Sequence, residues 1–117
     1  MPPDALTREI AGELYHQALD LVASGDPAAE LKFREALALD PNHLDAMHGL
    51  IRVLQDVGDF DQAIAVAQEL IARDPDDPLA HTSLSILYQH KGMVPEAEAE
   101  ALKAKLLGWK LELRESR

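Results

Sequence analysis

The sequence predicts an all-α solenoid of three antiparallel helix pairs, and three observations predict it. The chain repeats itself every 34 residues: Asp40-Pro41 recurs as Asp74-Pro75, Gly58 as Gly92, Ala63 as Ala97, Leu50 as Leu84, and Leu54 as Tyr88. A fixed period of a few tens of residues marks a stacked repeat architecture. Apolar residues also fall at helical spacing, with Leu50, Leu54 and Val57, like Leu14, Ala18 and Leu21, at i, i+4, i+7. Aromatic residues make up only 4% while Ala and Leu abound, a balance that suits close helix packing better than a sheet.

Breakers divide the chain into six elements. A first helix is expected over 6–24, stopped at Gly25-Asp26-Pro27. A second runs over 27–39, with Asp26 as its N-cap, and stops at Asp40-Pro41-Asn42. A third covers 43–57 and ends at Gly58-Asp59. A fourth covers 60–73 and ends in Asp74-Pro75-Asp76-Asp77-Pro78, where Asp77 is placed to cap a fifth helix over 78–91. Gly92-Met93-Val94-Pro95 then leads to a sixth helix over 95–108. Gly just past a helix end and Pro just inside the next start is the expected asymmetry. This reading gives one three-repeat domain over 1–109, with repeats at about 10–43, 44–77 and 78–109, and a short basic tail over 110–117.

Composition excludes several classes. The chain has no cysteine, so disulfides, thiolate metal sites and thiol nucleophiles are absent. Its uninterrupted apolar runs are a few residues long, and Met1-Pro2-Pro3-Asp4 does not open a signal peptide, so membrane insertion is not expected and a cytoplasmic location is. Net charge is −10 and uneven: residues 1–102 hold 19 acids against six Lys/Arg, whereas residues 103–117 hold five Lys/Arg against two acids. An acidic body repels phosphate backbones, which argues against nucleic acid as a partner.

The repeat residues resemble the tetratricopeptide repeat, a 34-residue helix–turn–helix. The second repeat carries Met47, Leu50, Ile51, Leu54, Gly58, Phe60, Ala63, Ala67 and Pro75 at the pattern's positions. The third carries His81, Leu84, Ser85, Tyr88, Gly92, Ala97 and Ala101, and the first carries Leu14, Gln17, Ala18, Leu21, Gly25, Ala29, Phe33, Ala36 and Pro41. The resemblance covers about residues 10–109 and implies a helical superhelix. Ala29, Ala63 and Ala97 would sit where paired helices cross closely, because a larger side chain would push them apart. There are departures. The first turn is one residue short, Ile51 stands where a small residue is usual, and Trp109 stands where the inter-repeat Pro would fall.

The resemblance also implies a concave groove lined by the first helix of each pair. The corresponding rows are Gly12, Tyr15, Leu19 and Val22; Asp45, His48, Arg52 and Gln55; and Leu79, Thr82, Ile86 and Gln89. The candidate groove residues are Tyr15, Leu19, His48, Arg52, Gln55, Thr82, Ile86 and Gln89. Such a surface would take a peptide or helix of another protein, with Arg52 facing a carboxylate through its planar fork of donors. The branch that clamps chaperone C-termini needs cationic residues where this chain has Tyr15, Leu19, Gly49, Leu79 and Ser83, so that role is disfavoured.

A second candidate surface is a stripe of Leu102, Leu106 and Trp109, whose equivalents in the earlier repeats are polar or small. Either Leu111 and Leu113 fold back over it, or it docks another protein or a second copy. The five histidines lack metal-ligand spacing, and the only close pair, His43 and His48, straddles a helix start. No metal or cofactor is expected, and no catalytic motif points to an enzyme. The function expected is therefore an adaptor, scaffold or assembly factor. The alternative is an accessory subunit of a larger complex, docked or self-associated through the last helix.

Overall fold

The structure is a computed structural model that describes residues 1–116, and all its regular elements are α-helices. They are α1 (Ala5–Ala23), α2 (Ala29–Leu39), α3 (Leu44–Asp56), α4 (Phe60–Arg73), α5 (Pro78–His90) and α6 (Val94–Glu115). The chain divides into two compact units, Met1–Gly58 with α1 to α3 and Asp59–Arg117 with α4 to α6.

In the first unit, α1 begins at Asp4, whose carboxylate accepts the Thr7 N–H at 2.8 Å. That bond and the Thr7 side chain hold the Asp4 carboxyl below its ordinary range. The helix ends because Gly25 takes a left-handed backbone, φ 71°. The Gly25 N–H then returns to the Val22 carbonyl at 3.0 Å and the Asp26 N–H to the Leu21 carbonyl at 2.8 Å. This paired closure satisfies two orphan carbonyls and reverses the chain into a hairpin.

Asp26 does not cap α2 as the sequence reading expected. Its carboxylate accepts the Ala28 N–H at 2.9 Å, closing a local turn around Pro27, and the helix starts two residues later than expected, at Ala29. The short first turn is absorbed there. His43 caps α3 instead, with its ring Nδ1 accepting the Ala46 N–H at 3.1 Å.

The core of this unit is Ala11 and Ala18 from α1, Ala29, Phe33 and Ala36 from α2, and the continuous run Ala46, Met47, Leu50, Ile51, Val53 and Leu54 from α3. Val57, counted with that run in the sequence reading, caps the helix and is exposed. Burying a side chain such as Phe33 or Leu54 stabilises the fold by about 2 kcal/mol. α2 and α3 approach so closely that a Cβ added to Gly49 would overlap the Phe33 ring.

In the second unit, Asp59 caps α4. It accepts the Gln62 N–H at 3.3 Å, and the Gln62 amide reaches back to its carboxylate at 2.6 Å. Asp77 caps α5 as expected, accepting the Leu79 N–H at 2.9 Å ahead of Pro78. α4 and α5 are tied by an Asp61–Lys91 ion pair at 2.9 Å and by Phe60 stacked on His90 at 4.6 Å.

α5 and α6 form a hairpin turned at Gly92, by the same paired closure as at Gly25. Ala97 is buried at their crossing, so Ser85 can donate its hydroxyl to the Ala97 carbonyl at 2.7 Å. Beside it, His81 is buried with Nδ1 2.6 Å from Glu100 and Nε2 3.1 Å from the Pro75 carbonyl.

The last helix corrects the sequence reading. It does not stop at 108 but continues to Glu115, so the expected tail is helical up to that residue. Residues 109–115 contain no Gly or Pro and are mostly good helix formers, which outweighs the single Gly108. Leu111 and Leu113 stay in this helix and do not fold back over the stripe. Arg117, counted with the tail, lies outside the described residues.

Candidate functional site

On α3 and α5 the expected row lies away from the buried face, whereas on α1 Tyr15 and Val22 share the face of buried Ala11 and Ala18. On α1, Tyr15 is half-buried, and Leu19 and Val22 are exposed. Tyr15 is pinned between elements: its ring centroid lies 6.1 Å from Phe33 of α2 and 5.0 Å from His43 at the start of α3. This contact ties α1 to the start of α3 within the first unit. On α3, His48 and Gln55 are half-buried and Arg52 is exposed. Arg52 pairs with Asp56 one turn along its own helix, Nε to carboxylate 3.3 Å. Both groups are in water, so the pair is weak.

On α5, Thr82, Ile86 and Gln89 are exposed. Thr82 and Ile86 line an open groove of about 370 Å³ with Ser85, Ala101, Ala104 and Lys105. The small residues of α6 leave this space, which the sequence reading did not foresee because it treated α5 without its partner. His90, at the end of this helix, is stacked on Phe60 of α4.

The second surface lies on α6. Leu102, Leu106, Trp109 and Leu113 stand at i, i+4, i+7, i+11 and are 56%, 51%, 52% and 71% exposed. Leu113 was missed as a member of this stripe because the helix was expected to end before it. Lys105 lies over the Trp109 ring at 5.5 Å, covering one side of it. Trp109, Glu112, Leu113 and Ser116 outline an open depression of about 530 Å³.

Among the described residues no group of three or more His, Asp or Glu is gathered as a metal site would require. No described helix is long and apolar enough to cross a membrane.

Helix hairpins of this kind, with small residues at the crossings, define a helical-repeat protein, a class that works through its surfaces. A family model described as Tetratricopeptide repeat matches residues 21–87 and again 54–106. The chain belongs to the tetratricopeptide repeat family.

It is 31% identical over 85 residues to the TPR repeat-containing protein YpiA of Bacillus subtilis (strain 168), a match covering 73% of this chain but 20% of YpiA. The chain thus spans about a fifth of the length of that relative. Among solved structures it is similar to SycD, a type III secretion translocator chaperone of Yersinia enterocolitica, with TM-score 0.81 and 25% identity over 85% of this chain and 75% of SycD. It is also similar to MamA, with TM-score 0.84 and 26% identity over 87% of this chain and 60% of MamA. SycD has been solved in complex with a peptide of the translocator YopD.

Proposed function

We propose that this chain is a protein-interaction module that holds a segment of another protein along the exposed rows of its first helices. In the first unit the row is Tyr15, Leu19, His48, Arg52 and Gln55; in the second it is Thr82, Ile86 and Gln89. The observation that carries this reading is the exposure of Leu19 and Ile86 on helix faces turned away from the core, each beside polar groups able to orient a peptide. That SycD takes a peptide of YopD supports the same use of the fold here. Recognition needs no bond chemistry, so an adaptor, scaffold or assembly factor is the class that fits.

Selection from a random peptide display library tests this. The wild-type chain should enrich segments with apolar anchors and an acidic residue, and Arg52→Glu should shift the enriched set toward basic residues. Selection of the same peptides by wild type, Arg52→Glu and a Leu19→Asp/Ile86→Asp variant would sink the proposal.

A second reading is favoured by the uncovered stripe on α6. In it the chain is an accessory subunit that docks through Leu102, Leu106, Trp109 and Leu113. Tryptophan at such a patch is a frequent hot spot, worth roughly 2 kcal/mol or more when buried.

A further inference from the structure

We propose that the α6 stripe receives α1 of a second copy of this chain, in a parallel contact; the inference rests on the reading of α6 as a docking face and names what docks there. Charge along the two helices is the argument. On α6 one edge of the apolar stripe is basic, carrying Lys103, Lys110 and Arg114 at positions that follow each other along the helix. Lys110 and Arg114 are exposed and have no ion-pair partner among the described residues. Lys103, the first of the row, pairs with Glu100 at 3.3 Å, which leaves Lys110 and Arg114 as its uncompensated end in a chain of net charge −10.

α1 carries the complement. Leu6 and Ile10, one turn apart, are 65% and 45% exposed. Glu9, Glu13 and Asp20 run along one edge of that apolar pair, all exposed and without an ion-pair partner among the described residues. The acidic edge lies on the opposite hand to the basic edge of α6, so the two edges meet when the helices run parallel. In that alignment Glu9 and Glu13, four apart, fall opposite Lys110 and Arg114, also four apart. The same register lays Leu6 and Ile10 against Leu106, Trp109 and Leu113.

The obvious alternative is two α6 helices packed on each other. A two-fold axis across an antiparallel pair sets each edge against itself, which would bring the two basic rows together at a cost. The α1–α6 contact is heterologous, so each copy that uses its α6 keeps a free α6 acceptor on its neighbour, and assemblies can grow beyond two.

The test is the mass of the full chain by light scattering over a concentration range. Wild type should self-associate, more weakly at high salt because the flanking pairs are in water. Trp109→Ala should weaken association roughly thirtyfold. Lys110→Glu/Arg114→Glu and Glu9→Lys/Glu13→Lys should each weaken it by about tenfold or more. An equimolar mixture of these two variants should associate like wild type, since every mixed contact then pairs opposite charges. All four substituted charges are exposed, so helix content by circular dichroism should be unchanged. A wild type that stays monomeric overturns the inference, and so does a mixture that fails to restore association. If Trp109→Ala abolishes association while neither charge variant does, α6 is a docking face but α1 is not its occupant.

Discussion

Gly49→Ala tests the closest approach in the first unit. An added Cβ overlaps Cε1 and Cζ of the Phe33 ring and lies 3.0 Å from its Cδ1. Comfortable carbon contacts are about 3.5–4.0 Å, so the ring edge must retreat by about 1 Å. Phe33 is fully buried, with Tyr15 beside it, so it has no solvent to move into. Overpacking of this kind costs about 1–3 kcal/mol. Replacing Gly by Ala inside a helix returns about 1 kcal/mol. The net expectation is a loss of about 1 kcal/mol, read as a lower urea midpoint.

Gly12→Ala is the matched control. Nothing lies within 4 Å of its added Cβ, so it should raise stability by about 1 kcal/mol. In a Phe33→Leu background the ring is gone, and Gly49→Ala should become stabilising, with a coupling of about 1–2 kcal/mol between the two sites. If Gly49→Ala stabilises the wild-type chain as much as Gly12→Ala does, the ring is free to move and the reasoning fails.

Other expectations concern the buried polar groups and the caps. His81→Phe should cost about 3 kcal/mol, because it leaves the largely buried Glu100 carboxylate with the exposed Lys103 as its remaining partner, whereas Glu100→Gln should cost under about 1 kcal/mol, since an amide can still bond the ring; urea unfolding of both variants decides. Ser85→Ala should lose about 1 kcal/mol with its hydrogen bond to the Ala97 carbonyl, again by urea midpoint. The Asp4 carboxyl is held below the usual aspartate value by its bonds to Thr7, so its cap contributes fully above that value and is lost as pH falls through the lower folded one. An NMR titration of Asp4 should show that depressed midpoint, and in Thr7→Ala, where the side-chain contribution is gone, the midpoint should rise.

Much of the fold was legible in the sequence because its causes are local. The 34-residue period, the Gly at hairpin turns, Asp77 before Pro78 and the small Ala29 and Ala97 each act within a turn or a crossing, and α1 to α5 followed within a few residues. The α6 stripe was partly legible for the same reason, since Leu102, Leu106 and Trp109 share one face whatever packs nearby. Its extension to Leu113 was hidden because the 34-residue period placed the end of the repeat near 109, an end that the helix formers after it override.

The rest needed neighbours distant in sequence. Nothing in the chain marks Gly49 as essential until Phe33 is found against it. His81 and Glu100 lie on different helices, and only the α5–α6 hairpin brings them to 2.6 Å. His43 as a cap, and Tyr15 held against it, depend on how α1 meets α3. By itself the sequence determined the helices, their turns and the family, because backbone preference and hydrophobic period act over a few residues. Only the tertiary structure decided which side chains are covered, because burial depends on partners that spacing along one helix cannot name.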